Sequence, residues 1–185
     1  MKNQVMLKKI AIVLAAAFCW NGTAQELLLN GDFSQGLSFW NFRDKSGVSI
    51  EEKASPNGKN ALKVVSVKGH YGSNYSLSGK RLKPNTVYTV RGKIKTEGNA
   101  EVYLYFCQSP GADKYHSKSQ AFRKTTDWTE VYCLLNSGNA KGMPLLTRVI
   151  GSGTAWFAEL SIMEGNHLPA ENLPTKSSEN AAGIK

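Results

Sequence analysis

The signatures of common enzymes are missing from this chain of 185 residues. It has no G-x-S-x-G nucleophile motif, no H-E-x-x-H zinc motif, no phosphate-binding P-loop and no glycine pattern for a dinucleotide. Hydrolysis of a glycosidic bond requires two carboxylates beside a cleft, and none of the 14 acidic residues is marked out by its context. We therefore predict a protein that is not an enzyme. A small hydrolase with a hidden carboxylate pair is the alternative.

Long apolar runs are missing as well, apart from residues 10–20. That run is shorter than the roughly 20 apolar residues that a helix needs to span a bilayer. Lysines precede it, and small residues at positions 22–24 follow it, as at a signal-peptidase site. We predict a signal peptide over residues 1–24 and export of the rest, secreted or periplasmic, with no transmembrane segment. Lipid attachment at Cys19 is the alternative, which the bulky Phe18 disfavours.

Clusters of basic residues are also missing, although the net charge is +9. Lysines and arginines are scattered among acidic residues, which is typical of a soluble surface of mixed charge. Without a basic run, nucleic-acid binding is not expected. The excess of positive charge is compatible with an acidic polysaccharide or another anionic partner.

Cysteine is scarce, with three residues in the chain. Loss of the predicted signal peptide leaves Cys107 and Cys133, which both lie in apolar segments typical of strands. In an oxidising compartment the two thiols form a disulfide, or else each is buried as a small apolar side chain. Both interpretations stay open. No set of His, Cys, Asp and Glu residues has the spacing of a metal site.

The chain is rich in short segments in which apolar and polar residues alternate. In residues 87–96, Val90 and Ile94 alternate with Arg91 and Lys93, as on a strand with one buried face. About eight to ten such segments follow one another at roughly 10-residue spacing, separated by turns of Gly, Pro and Asn. They lie at residues 48–50, 61–67, 75–78, 87–96, 101–107, 128–136, 145–150 and 154–163. Residues 97–99 have the chemistry of a hairpin turn.

This pattern, with no helical period after the leader, predicts an all-β domain at residues 25–164. The expected architecture is an antiparallel β-sandwich. Residues 165–185 are polar and have too few apolar side chains to pack, so we expect a disordered tail there.

Four segments carry motifs that occur together in one family. Residues 27–40 read LLLNGDFSQGLSFW, and residues 82–90 read LKPNTVYTV. Residues 126–132 read TDWTEVY, and residues 155–162 read AWFAELSI. In this order the motifs resemble those of carbohydrate-binding modules of families 4, 9 and 22. The resemblance implies a galactose-binding-like jelly roll that binds polysaccharide without cleaving it.

The resemblance also implies structural roles. Trp40, Trp128 and Trp156 occupy positions that are core anchors in the family. Family members often hold a structural calcium with carboxylates at the positions that Ser34 and Ala158 occupy here. Calcium requires six or more oxygen ligands, so their loss weakens the expectation of this ion. The candidate ligands that remain are Asp32 and Glu159, and no other cofactor is expected.

The candidate ligand-binding residues follow from alternation in residues 101–107. If Val102, Leu104 and Phe106 face the core, Tyr103 and Tyr105 face outward. Flat aromatic faces ringed by polar side chains suit sugars. We expect neighbouring strands and connections to complete this platform. The candidates are Arg91, Lys93, Tyr132 and Arg148 on strands, and Tyr71, Tyr75 and Tyr115 in connections, where a lone His116 is expected to be solvated. Cross-strand packing without a binding role is the alternative.

The sequence therefore predicts an exported, non-catalytic carbohydrate-binding module that recognises a polysaccharide or oligosaccharide through an aromatic and charged sheet face. An extracytoplasmic domain for interaction or assembly with other secreted proteins, on the same fold, is the alternative.

Overall fold

The computed structural model describes residues 25–77, 82–107, 116–140 and 142–169. Every regular element in these ranges is a β-strand, which confirms the all-β prediction. Within them, no helix is long and apolar enough to cross a membrane. The predicted signal peptide at residues 1–24, Tyr115, and residues 170–185 of the predicted tail lie outside the described residues.

The described ranges contain ten strands, numbered here in chain order. They are β1 (Trp40–Phe42), β2 (Val48–Glu51), β3 (Ala61–Ser66), β4 (Gly69–Asn74), β5 (Val87–Gly98), β6 (Glu101–Cys107), β7 (His116–Lys118), β8 (Thr126–Asn136), β9 (Leu145–Ile150) and β10 (Gly153–Glu164).

These strands form two five-stranded sheets with the apolar core between them. Sheet I has the strand order β1-β4-β9-β6-β7, and sheet II has the order β2-β3-β10-β5-β8. Neighbouring strands are antiparallel in both sheets. The predicted antiparallel jelly-roll sandwich is confirmed.

Period-two alternation decides which side chains enter the core. Val90 and Ile94 of β5 are fully buried, as are Val102, Leu104 and Phe106 of β6. Tyr103 and Tyr105 alternate with the buried residues of β6 and are only half-buried. The predicted inward faces of these two strands are confirmed, and the tyrosines lie on the outer side of sheet I.

The opening stretch, residues 27–40, forms a turn that is held by hydrogen bonds. Its ladder contact is a single bridge between Glu26 and Met163. The buried Asn30 has a left-handed backbone (φ 54°), and its Nδ2 donates to the carbonyl oxygens of Gly36 (2.9 Å) and Ser38 (2.8 Å). Trp40 Nε1 donates to the Asn30 carbonyl oxygen at 3.1 Å. This turn closes one end of the sandwich, with Trp40 in the core as predicted.

Three strands were not predicted from the sequence. The strands β1 and β7 are three residues long, and β4 reads GHYGSN, without a β-branched side chain. Weak strand propensity is overcome in β4 because it forms ladders on both sides, with β1 and β9. The strand predicted at residues 75–78 is wrong for residues 75–77, which follow the end of β4.

The predicted hairpin at residues 97–99 is wrong. The turn joins β5 of sheet II to β6 of sheet I, and the two strands do not pair with each other. Gly98 has a positive φ of 89°, which suits the tight turn of a hairpin and also a turn that joins two sheets. Because local turn chemistry does not distinguish a hairpin from a corner between two sheets, the sequence pattern misassigned the neighbours of β6.

The start of the predicted tail is bonded to β5. Gly165 N donates to the Val87 carbonyl oxygen at 2.8 Å, and His167 N donates to Thr89 Oγ1 at 2.9 Å. The expectation of disorder is therefore wrong for this first part.

Cys107 and Cys133 are both buried and free, so the structure contains the buried-thiol alternative. Burial raises the pKa of Cys107 to about 11 and that of Cys133 to about 12. Both thiols are therefore protonated at neutral pH.

Candidate functional site

The outer side of sheet I brings three of the predicted residues into one row across the strands. Tyr71 on β4 pairs in register with Arg148 on β9, and Arg148 pairs in register with Tyr103 on β6. The guanidinium carbon of Arg148 lies 5.5 Å from the centroid of the Tyr71 ring. We call Tyr71, Arg148 and Tyr103 the aromatic row. It lies on strands rather than on connections, contrary to the expectation for Tyr71.

A second pair of side chains extends the aromatic row toward the sheet edge. Tyr105 pairs in register with Lys118 on β7. The rings of Tyr103 and Tyr105 meet edge to face, with centroids 6.3 Å apart and planes at 88°. Lys118 Nζ lies 5.7 Å from the centroid of the Tyr103 ring. These contacts hold the tyrosines in a defined arrangement with a cation beside them.

Positive charge predominates among the described residues of this face. Arg148 and Lys118 contact its tyrosine rings. The carboxylate of Glu101, at the start of β6, is paired with Arg123 at 3.0 Å. Arg148 Nε is buried and has no hydrogen-bond partner. The face therefore combines aromatic rings with a guanidinium group that has one buried donor without an acceptor.

The other predicted strand residues belong to sheet II, although Tyr132 lines a cavity of about 410 Å³ together with Lys118. Arg91 and Lys93 are on β5, and Tyr132 is on β8, all on the outer side of sheet II. Arg91 pairs with Glu130 at 3.7 Å, and Lys93 pairs with Glu159 at 2.9 Å. The expectation of one platform that contains these residues and Tyr103 is therefore wrong. The cause is the corner between β5 and β6, which puts the two strands in different sheets.

Tyr75 lies outside the aromatic row, and sequence reasoning missed the exposed Phe39. Phe39 precedes β1, Tyr75 follows β4, and the two flank the register pair Trp40–Asn74. They are 50% and 46% exposed. The sequence did contain an indication for Phe39, since an aromatic residue in a turn-rich stretch is often a binding residue.

His116 pairs in register with Cys107 through its backbone, which places it in β7 rather than in a connection.

Two of the three predicted core tryptophans are on the outer side of sheet II. Trp156 is 6% exposed and lies between Lys63 and Lys95, whose Nζ atoms are 5.1 and 5.0 Å from its ring centroid. Its Nε1 donates to Glu51 Oε2 at 2.7 Å. Trp128 packs against the same small cluster. Alternation along β10 explains this placement, because Phe157 takes the inward position next to Trp156.

The candidate calcium ligands line one cavity of about 450 Å³. Asp32 Oδ1 accepts hydrogen bonds from Ser34 N at 3.1 Å and Ser34 Oγ at 2.8 Å. Glu159 Oε2 accepts from Asn57 Nδ2 at 2.6 Å and pairs with Lys93 Nζ. The described residues contain no group of three His, Cys, Asp or Glu side chains placed to hold a metal ion. Lys93 already neutralises Glu159, whereas Glu159 Oε1 is buried without a hydrogen-bond partner, and calcium binding at these residues stays a prediction.

The same contacts set the protonation of the two carboxyl groups. Burial by itself raises the pKa of Glu159, but the hydrogen bonds that it accepts, first of all from Lys93, outweigh burial and hold the pKa below its ordinary value. For Asp32, burial is likewise outweighed by the hydrogen bonds from Ser34, and the pKa is lowered. Both groups are therefore charged at neutral pH.

Comparison with known proteins identifies the class. Residues 25–138 match the model of a family described as "Carbohydrate binding domain", of the 4/9 type. The chain therefore belongs to this family, and the resemblance drawn from its four motifs is confirmed.

Solved structures show the same fold. TmCBM61, determined in complex with β-1,4-galactotriose, superposes with a TM-score of 0.61 at 15% identity, over 77% of this chain and 100% of that one. The CBM22-1 xylan-binding domain of Paenibacillus barcinonensis Xyn10C gives a TM-score of 0.59 at 15% identity, over 76% of this chain and 95% of that one. At these identities the likeness concerns the fold alone.

A curated relative is much longer than this chain. The tRNA3(Ser)-specific nuclease WapA of Bacillus spizizenii is 26% identical over 84% of this chain. The match covers 8% of that protein, so the similarity concerns one small part of it.

Proposed function

We propose that this domain binds a polysaccharide or oligosaccharide on the outer side of sheet I and does not cleave it. The observation that carries the proposal is the aromatic row, in which tyrosines of two strands flank Arg148. Membership of the carbohydrate-binding family supports the same class of ligand.

The geometry of the row suits a linear glycan. The face of a tyrosine ring packs against the apolar C–H face of a pyranose, while guanidinium and ammonium groups donate hydrogen bonds to its oxygens. Tyr71 and Tyr103 are separated by one intervening strand, which corresponds to about 10 Å at the usual spacing of strands in a sheet. A glycan that crosses the strands contacts both rings.

The arrangement of Tyr103 is set before a ligand arrives. The edge-to-face contact with Tyr105 and the proximity of Lys118 restrict the motion of its ring. A side chain that is already ordered loses less conformational entropy on binding. The half-buried tyrosines are thus suited to weak but specific stacking.

Charge pairing supports binding without cleavage. A glycosidase needs a second carboxylate across the cleft, about 5–9.5 Å from the first. Glu101 is bonded to Arg123, and the ionic groups that contact the tyrosine rings of this face are Arg148 and Lys118. The ionic groups that contact these rings are therefore cations and not a pair of carboxylates.

We also propose that binding takes place outside the cytoplasm, in a periplasm or after secretion. The support is the leader pattern of residues 1–24.

The test is an array of plant, algal and host polysaccharides, followed by calorimetry on each glycan that binds. We expect Tyr103→Ala and Tyr71→Ala each to weaken binding by about tenfold, because each removes one stacking ring. Trp128→Ala is the control, since it removes an aromatic ring from the outer side of sheet II. Its affinity should equal that of the unaltered protein.

An array without any bound glycan would overturn the proposal. Equal losses in Tyr103→Ala and Trp128→Ala would also contradict it, since only Tyr103 lies on the proposed face. In either case, capture of a defined secreted protein would favour the assembly function.

A further inference from the structure

Arg148 differs from the other charged residues that the structure pairs. Elsewhere in the described ranges, ion pairs join Lys63 to Glu51, Lys83 to Glu164, Arg91 to Glu130, Lys93 to Glu159 and Arg123 to Glu101. Arg148 forms no ion pair with a described residue, and its Nε is buried without a hydrogen-bond partner. Its guanidinium group lies over the ring of Tyr71.

An unpaired guanidinium group with a buried N–H is costly to leave without an acceptor. Its planar fork of donors matches the two oxygens of a carboxylate or a sulfate. The neighbouring thiol of Cys107 does not fill this role, because burial raises its pKa to about 11 and keeps it neutral. The missing acceptor is therefore expected to come from the ligand.

The surroundings of Arg148 reinforce this expectation. Lys118 places a second cation beside Tyr103, and the carboxylate of Glu101 is neutralised by Arg123. A sugar stacked on either tyrosine of the row lies about one strand spacing, roughly 4.8 Å, from Arg148. A neutral sugar offers hydroxyl groups to this position, whereas an acidic sugar offers the charged oxygens that a guanidinium group binds most strongly.

We propose that the aromatic row selects acidic glycans, and that Arg148 binds the carboxylate of a uronic acid or the sulfate ester of a sulfated sugar. This inference rests on the proposed function of the sheet I face, and it names the chemical class of the ligand. Arg148 is then the residue that determines specificity, while Tyr71 and Tyr103 supply stacking.

The test compares matched polysaccharides by calorimetry with the full chain at constant ionic strength. Polygalacturonate supplies carboxylates, a sulfated galactan supplies sulfate esters, and unsubstituted galactan and xylan are the neutral probes. At least one acidic polysaccharide should bind about tenfold more tightly than both neutral ones, which corresponds to one additional charge-assisted contact. The acidic polysaccharide that binds more tightly shows whether Arg148 recognises a carboxylate or a sulfate ester.

Arg148→Gln should remove most of this difference, because it lowers the affinity for the acidic polysaccharide more than the affinity for neutral glycans. Arg148→Lys keeps the charge but loses the planar fork, so its preference should be intermediate. Arg91→Gln is the matched control, because it removes an arginine from the opposite side of the sandwich. Thermal unfolding of each variant checks that the fold is retained.

The outcomes separate the two proposals. If acidic and neutral glycans bind equally well, or if Arg91→Gln lowers the preference as much as Arg148→Gln, the acidic class is wrong and the glycan-binding face stands. If no glycan of either class binds, the proposed function itself fails.

Discussion

Lys93 Nζ lies 2.9 Å from Glu159 Oε2, next to the bulge that interrupts the pairing of β10 with β5. Glu159 has a positive φ of 53° at this bulge. The side chains are only 20% and 16% exposed, so the pair is largely shielded from water. The ammonium group of Lys93 thus neutralises the carboxylate of Glu159, which the family resemblance indicated as a candidate calcium ligand.

Replacing this lysine should destabilise the domain. Lys93→Met leaves the Glu159 carboxylate without its ammonium partner, and we expect a loss of about 1–3 kcal/mol in the free energy of unfolding. Urea denaturation at neutral pH measures this loss. Lys68→Met is the control, because Lys68 is exposed and forms no ion pair with another described residue. A loss in the control as large as that in Lys93→Met would contradict the assignment.

Acid should weaken the domain through the same carboxylate. Hydrogen bonds lower the pKa of Glu159 in the folded state below the ordinary value of 4.5, despite the opposing effect of burial. The stabilisation is therefore fully present above the ordinary pKa and is lost as the pH falls through the folded-state pKa. Urea denaturation as a function of pH should show this loss in the unaltered protein and a smaller one in Lys93→Met. An identical pH profile for both proteins would refute the linkage.

Gly31 is required by a close approach of two backbone segments. A Cβ atom at this position would lie 2.0 Å from the carbonyl oxygen of Leu160, whose N–H donates to the Gly31 carbonyl oxygen at 2.9 Å. Backbone cannot yield as a flexible side chain does, so Gly31→Ala should cost about 3 kcal/mol or more. Gly58→Asn is the control, because its site is open and Asn tolerates the positive φ of 69°. Thermal unfolding compares the two, and equal melting temperatures would disprove the clash.

The cysteines should be indifferent to redox conditions. Cys107 and Cys133 are buried and free, and burial raises the pKa of each thiol to about 11 and about 12. We expect the same melting temperature with and without a reducing agent, and labelling by a thiol reagent at pH 8 only after unfolding. Rapid labelling of the folded protein, or a fall in melting temperature on reduction, would show that the thiols are exposed or bonded.

Trp156 should matter for stability but not for glycan binding. Trp156→Phe removes the hydrogen bond to Glu51 on the outer side of sheet II, and we expect a loss of about 1–2 kcal/mol in stability. Glycan affinity should not change, because the aromatic row lies on the other sheet. Trp40→Phe, which removes the bond to Asn30 in the core, is the comparison. A tenfold loss of affinity in Trp156→Phe would place the ligand on sheet II instead.

Local patterns were sufficient for some features of the fold. Alternation in residues 87–96 and 101–107 identified Val90, Ile94 and Leu104 as inward-facing, since one face of each strand is apolar. The same rule placed Tyr103 and Tyr105 outward. It failed for β4, where pairing with β1 and β9 forms a strand from glycines and polar residues.

The sequence by itself determined most of the strands, the family motifs and the outward position of the β6 tyrosines, because these depend on residues close together in the chain. Only the tertiary structure decided that the aromatic row contains Tyr71 and Arg148 rather than Arg91 and Tyr132. That choice depends on which sheet each strand joins and in which register it pairs. Both are set by packing between distant segments, and the turn at Gly98 carries no information about them.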